Sequence, residues 1–118
     1  MYSRQVIEQF QSLRHVGELP DADAYVRADN PVCGDVLQLA MVANGRIAAA
    51  KVRAHGCVAA VACASQLADM ILHRPLAQLL TLRSEHVACA LGGLPEASLH
   101  ASQLAAEALA SALKAAGK

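Results

Sequence analysis

The sequence predicts an α+β fold in which a small antiparallel sheet is followed by a run of helices. Within residues 36–43, Leu37, Leu39 and Met41 fall on one side of an extended chain and Gln38 falls on the other, which is typical of a strand with one buried face. Asn44 and Gly45 follow directly, and this dipeptide favours a type I′ hairpin turn. We therefore expect a second strand over residues 46–54. The apolar segments beyond residue 56 have helical character, and strands followed by helices indicate α+β.

The N-terminal region is predicted to contain one helix and a surface connection. Three apolar residues recur at helical spacing: Val6, Phe10 and Leu13. This spacing predicts a helix over residues 3–15 that ends at Gly17. Residues 18–30 are acidic, so we expect a surface connection there, with a short edge strand at Tyr25 and Val26.

Four helices are predicted after the hairpin. Cys57 opens a segment rich in small apolar residues, which predicts a buried helix over residues 57–71. Two shorter helices are expected over residues 76–82 and 85–91. Ser98 is a candidate N-cap for a last helix over residues 99–115.

Length and charge exclude several classes of function. A chain of 118 residues predicts a single domain spanning residues 1–118. Its formal net charge is zero, so it has no electrostatic basis for gripping nucleic acid or an anionic membrane. No apolar run is long enough to span a bilayer, and the first residues lack a signal-peptide core. A cytoplasmic location is the resulting expectation.

Cysteine usage indicates thiols or metal ligands rather than disulfides. The chain has four cysteines with no Cys-x-x-Cys pair: Cys33, Cys57, Cys63 and Cys89. Aromatic residues make up 3% of the chain and tryptophan is absent. This scarcity argues against sites built on base stacking or on an aromatic cage.

The loop over residues 30–35 carries a cysteine and a carboxylate two positions apart, Cys33 and Asp35. Pro31 restricts the backbone before it, and Gly34 permits a turn that a residue with a Cβ would oppose. Such a loop can direct a thiolate and a carboxylate at one point. The alternative for Asp35 is a turn carboxylate that accepts hydrogen bonds from backbone amides.

Two further candidate ligands lie at the predicted helix N-termini. Cys57 precedes a helix whose dipole favours thiolate, and His100 lies in a first turn whose dipole favours a neutral ring. With Cys33 and Asp35 they make a tetrahedral donor set for zinc or ferrous iron. At this point the alternative, that the four residues are unrelated, stays open.

Several stretches together carry a resemblance to a known family. They are residues 8–10 with 14–17, residues 30–35, Gly56 and Cys57 followed by Ala62 and Ser65, and residues 91–95 followed by Leu99 and His100. In this order they resemble the NifU/IscU family of iron–sulfur cluster assembly scaffolds over nearly the whole chain. The resemblance implies a three-stranded antiparallel sheet with four to five helices packed mainly on one face. It also implies that the ligand loops meet at one exposed edge.

The resemblance further implies that Cys33, Asp35, Cys57 and His100 hold a [2Fe–2S] cluster or iron. A [2Fe–2S] cluster is usually held by four thiolates, so a carboxylate or imidazole ligand should loosen the grip. A scaffold or carrier of this kind has no catalytic turnover of its own, so we expect that this protein is not an enzyme. It would depend on a cysteine desulfurase for sulfide and would serve apo-iron–sulfur proteins.

Two departures from the family pattern leave alternatives open. Ala101 stands where the family has its third cysteine, directly after the histidine, which puts sulfur acceptance and cluster retention in question. Residues 94–98 lack the second proline and the lysine of the segment that docks the heat-shock chaperone. The alternatives are a zinc-binding regulatory or interaction module, and a sulfur-transfer protein that carries a persulfide on Cys57 or Cys33. The sequence also leaves a homodimer open.

The remaining cysteines and histidines are interpreted as structural. Cys63 and Cys89 are predicted to be buried helix residues. His55 is predicted to be an exposed residue at a strand end. The other histidines are predicted at the surface: His15, His73 and His86.

Overall fold

The computed structural model describes residues 2–12, 14–30 and 34–116. Within them lie five α-helices and three strands, in the order α1 Arg4–Gln11, β1 Ala24–Asn30, β2 Asp35–Ala43, β3 Ile47–His55, α2 Val58–Ile71, α3 Leu76–Leu79, α4 Ser84–Ala90 and α5 Leu99–Ala116. A single 3₁₀ turn, Glu96–Ser98, precedes α5. The strands form one antiparallel sheet in the order β1-β2-β3. The predicted α+β fold is confirmed.

The core lies between the sheet and two alanine-rich helices. Leu37, Leu39 and Met41 alternate along β2 and are fully buried, as the sequence pattern predicted. Helix α2 packs against β2 and β3, whereas α5 packs against β1 and β2. Alanine dominates the buried faces of both helices. Because alanine adds only a methyl group, the two helices can pack closely against each other.

One end of this assembly gathers the start of β2, the end of β3 and the N-terminus of α2. Val36 pairs with His55 across the sheet, so Asp35 lies beside the residues that link β3 to α2. The sequence places Cys57 in that link. The fold therefore brings two of the predicted ligands together through a strand register.

The β2–β3 hairpin forms as predicted, but its turn is not type I′. Gly45 has φ +71°, whereas Asn44 does not have a positive φ. Ala43 pairs with Ile47, which leaves a three-residue loop, and the strand register shifts between Val42 and Ala43. A three-residue hairpin loop with a bulge needs only one left-handed residue, and the glycine supplies it.

The N-terminal prediction was wrong in its boundaries. Helix α1 ends at Gln11 rather than His15, and Leu13 lies outside the described residues. The chain then turns to the edge of β3, where Val52 N donates to His15 O at 2.7 Å and Gly17 N donates to Val52 O at 3.4 Å. These edge contacts satisfy backbone groups that a longer helix would have used internally.

Other boundaries also differ from the sequence expectations. The edge strand β1 runs for seven residues to Asn30, so the surface connection ends before Ala24. Helix α3 is only four residues long and ends at Leu79. Ser98 is not the N-cap of the last helix: it belongs to the 3₁₀ turn that runs directly into α5, and its Oγ lies 3.4 Å from Tyr2 OH.

Among the described residues, no helix combines the length and the apolar character needed to cross a bilayer.

Candidate metal centre

Three of the predicted ligands meet at one end of the sheet. Asp35 opens β2, Cys57 lies directly before α2, and His100 lies in the first turn of α5. One donor atom from each residue lies within 4.8 Å of the other two. A carboxylate oxygen, a sulfur and an imidazole nitrogen at such distances could share one metal ion.

The Asp35 carboxylate is the centre of this group. It is 1% exposed, and Oδ1 accepts a hydrogen bond from Cys57 N at 3.0 Å. Its Oδ2 lies 2.8 Å from His100 Nε2 and accepts from Cys57 Sγ at 3.5 Å. The buried carboxylate therefore accepts a hydrogen bond from a backbone amide, which is the role predicted for a turn carboxylate. It also faces the side chains of Cys57 and His100.

Cys57 is the N-cap of α2, where its backbone is extended and its Sγ accepts from Ala60 N at 3.4 Å. Burial raises the pKa of the Cys57 thiol; the Ala60 N–H lowers it, and the negative charge of Asp35 raises it again. The amide at the helix N-terminus lowers the Cys57 pKa in the expected direction, but burial and Asp35 outweigh it, so the net shift is upward. A bound cation would reverse the balance, since metal ligation deprotonates a thiol.

His100 is partly accessible, with 25% of its side chain exposed. A neutral ring can donate from Nε2 to Asp35, but a ring that binds metal through Nε2 must carry its proton on Nδ1. A surface cavity of about 150 Å³ borders His100 and is also lined by Asp29, Gln103 and Glu107. The group thus opens to solvent on the side of β1 and α5.

The fourth predicted ligand, Cys33, lies outside the described residues. The residues on either side of that segment are close together, because Gly34 N donates to Asn30 O at 2.8 Å. Gly34 has φ +73°, a conformation that favours glycine. Gly34 therefore adopts a backbone conformation that favours glycine, as the sequence predicted.

Ala101 follows His100 and is fully buried. Its methyl group offers no donor atom, so within the described residues the donor group is made up of Asp35, Cys57 and His100. Cys63 is a fully buried core residue as predicted, and burial raises its pKa to about 12.

The predictions for two other residues were wrong. Cys89 is exposed on α4 rather than buried. His15 is half-buried, and its Nε2 lies 2.6 Å from Asp69 Oδ1. The three remaining histidines are exposed as predicted: His55, His73 and His86.

Sequence reasoning also missed the contribution of Gly56, which it named only beside Cys57 among the stretches that resemble the family. Gly56 has φ +124° and its Cα faces the Asp35 side chain. The signal available in the sequence was a glycine immediately before a candidate ligand.

Comparisons with known proteins identify the family of the chain. Residues 1–116 match the family model described as the NifU-like N terminal domain. The chain is 40% identical to "Iron-sulfur cluster assembly scaffold protein IscU 1" of Archaeoglobus fulgidus, over 96% of this chain and 74% of that protein. It is 33% identical to "Iron-sulfur cluster assembly enzyme IscU" of Drosophila melanogaster, over 96% of this chain and 76% of that protein.

A solved structure shares the fold. That structure is of a different protein, which is described as a candidate iron–sulfur cluster assembly scaffold for the SUF system of Fervidobacterium islandicum. It superposes with a TM-score of 0.77 at 19% identity, covering 95% of this chain and 96% of that one. The match of a family model over nearly the whole chain and the identity to curated relatives lead to one assignment: the chain belongs to the NifU-like N-terminal domain family.

Proposed function

We propose that this protein is a scaffold or carrier that holds an iron–sulfur cluster, or the iron for one, and passes it on. The observation that carries the proposal is the convergence of Asp35, Cys57 and His100, with donor atoms within 4.8 Å of one another. The curated relatives named as iron–sulfur cluster assembly scaffolds support the same reading. In this proposal residues 1–118 act as one domain.

The proposed ligands are Cys33, Asp35, Cys57 and His100. Two thiolates, one carboxylate and one imidazole form a mixed set, and harder oxygen and nitrogen ligands hold a [2Fe–2S] cluster less well than thiolates. The exposed edge of His100 gives the cargo a route to solvent. A loose, accessible site suits a protein whose task includes release.

The chain itself would supply ligands and a docking site rather than catalytic turnover. Sulfide would come from a cysteine desulfurase, and apo-iron–sulfur proteins would receive the cluster, with the cytoplasm as the place of action. The raised pKa of Cys57 does not favour a sulfur-transfer role, since persulfide formation needs an activated thiolate.

The test is metal and acid-labile sulfide analysis of anaerobically purified protein, together with its visible spectrum. Iron with matching sulfide and charge-transfer bands supports the proposal. The substitution Cys57→Ser should remove both, whereas Cys89→Ser, at an exposed cysteine away from the donor group, should leave them unchanged. Stoichiometric zinc without sulfide, combined with failure to assemble a cluster from iron and sulfide, would instead indicate a zinc-binding module.

A further inference from the structure

We propose that Gly56 is a positioning residue of the metal centre, because its missing side chain leaves the space that the Asp35 carboxylate occupies. This inference rests on the proposed function, in which Asp35 is a ligand. It assigns to Gly56 a role that the donor atoms themselves do not reveal. The role is to keep the carboxylate directed at Cys57 and His100.

The geometry at Gly56 is the basis of the inference. A Cβ placed on this residue would lie 2.0 Å from Asp35 Oδ1 and 2.9 Å from both Asp35 Cα and Cγ. Its three nearest neighbours would therefore all be atoms of Asp35. Contacts under 3.0 Å are far inside van der Waals distance, so something must shift. The atom under the greatest pressure is the carboxylate oxygen that accepts from Cys57 N.

Asp35 has little freedom to move away. Its carboxylate is buried and held from two sides, by Cys57 N at 3.0 Å and by His100 Nε2 at 2.8 Å. Its backbone is fixed as well, because the next residue, Val36, pairs with His55, the residue before Gly56. A side chain at position 56 would thus push the carboxylate out of the arrangement in which it meets the other donors.

Backbone strain alone would not produce this coupling. Gly56 has φ +124°, so any L side chain there is also strained, and that cost does not depend on which residue stands at position 35. Gly45 provides the contrast. It has φ +71°, but a Cβ on it would have no atom within 4 Å. Gly45 is therefore the control for a side chain added at a positive φ without displacement of Asp35.

The experiment is a mutant cycle read by zinc affinity, using Zn²⁺ alone in competition with a chromogenic chelator. We expect Gly56→Ala to weaken zinc binding by about 10- to 100-fold, the range measured when groups that support a metal ligand are lost. Asp35→Ala should weaken it at least as much, and the double variant should bind no more weakly than Asp35→Ala. Gly45→Ala should bind zinc like the wild type.

Two results would overturn the inference. One is wild-type zinc affinity in Gly56→Ala. The other is an effect of Gly56→Ala that is as large in the Asp35→Ala background as in the wild type, since a purely structural role predicts independent effects.

Stability measurements cover the case in which Gly56→Ala folds poorly. Two of the three close contacts, those with Oδ1 and Cγ, disappear when Asp35 is replaced by alanine. The fall in unfolding temperature caused by Gly56→Ala should therefore be smaller in the Asp35→Ala background than in the wild type, and an equal or larger fall refutes the inference. If the wild type binds no metal, the proposed function fails, whereas this stability cycle still tests the positioning of Asp35.

Discussion

Asp35 Oδ2 and His100 Nε2 lie 2.8 Å apart although the residues are 65 positions apart in the sequence. The distance is that of a hydrogen bond between an imidazole and a carboxylate. Under the proposed function, the same two atoms would bind the metal in the loaded protein. A metal ion would then replace the proton that the pair shares, so loading exchanges one electrostatic link between β2 and α5 for another.

The first prediction concerns His100. The substitution His100→Ala should lower zinc affinity by more than roughly 100-fold, because loss of a merely supporting group already costs about 10- to 100-fold. Isothermal competition against a chelator measures this directly. His86→Ala is the control, since His86 is exposed on α4 and is not part of the donor group. Equal affinities of the two variants would exclude His100 as a ligand.

The second prediction concerns Cys57, which is both a proposed ligand and the N-cap of α2. Serine retains an acceptor for the Ala60 amide but removes the thiolate. Cys57→Ser should therefore abolish metal retention while changing the free energy of unfolding by less than about 1 kcal/mol. Metal analysis and urea denaturation of the same sample measure the two effects. Retention of stoichiometric metal would count decisively against the site.

The third prediction is a pH dependence of metal binding. Burial raises the pKa of Cys57, so the thiol is protonated at neutral pH and must lose its proton when metal binds. Zinc affinity should then rise with pH below that pKa, by about tenfold per unit for each proton released. Affinity measured from about pH 6 to about pH 8, below the pKa of about 8.5 for a free cysteine, tests the slope. A flat profile would mean that Cys57 does not coordinate the metal.

The sequence predicted the sheet better than it predicted the helix ends. Alternation at Leu37, Leu39 and Met41 specifies a buried face directly, because the side-chain period of a strand is two. The end of α1 depends instead on contacts with the edge of β3, as in the hydrogen bond from Val52 N to His15 O. Such contacts join residues far apart in the sequence and leave no local signal.

Three of the four candidate ligands nominated from the sequence lie together in the structure, but their electrostatic environment could not be predicted. Asp35, Cys57 and His100 could be nominated from loop positions and from helix N-termini. Their mutual effects could not, because the pKa of Cys57 depends on burial and on the nearby charge of Asp35. The close approach of Gly56 to Asp35 likewise follows from strand register, which a local motif does not specify.

The fourth prediction concerns Ala101, at the position where the resemblance described above leads us to expect a cysteine. Ala101→Cys should increase the amount of cluster or zinc retained, because a thiolate next to His100 would add a soft ligand. Ala105→Cys is the matched control, since Ala105 is also fully buried and lies one helical turn further along α5. Iron and sulfide content after reconstitution is the measurement. Equal occupancy in both variants would show that residue 101 does not limit cluster binding.

The last prediction concerns Asp69, which lies on α2 and contacts the N-terminal region of the chain. Burial raises the pKa of Asp69. Hydrogen bonds with Gln9 and His15 and the charge of Arg14 lower the pKa by more, so the net shift is downward. Asp69 Oδ2 accepts a hydrogen bond from Gln9 Nε2 at 2.6 Å and one from Arg14 Nη2 at 2.9 Å. These partners attach α1 and the segment after it to α2.

A carboxyl group whose pKa is lower in the folded state stabilises the protein at pH values above its pKa in the unfolded chain, which is about 3.9 for aspartate. This contribution is lost as the pH falls through the pKa of the folded state. Asp69→Asn should therefore lower the free energy of unfolding at pH 6 and flatten its decline toward pH 3 (about one unit below the unfolded pKa). Denaturation with urea at both pH values gives the difference. Asp21→Asn, at an exposed turn, is the control and should decline in parallel with the wild type. If Asp69→Asn also declines in parallel with the wild type, Asp69 does not couple the attachment of α1 to acid stability.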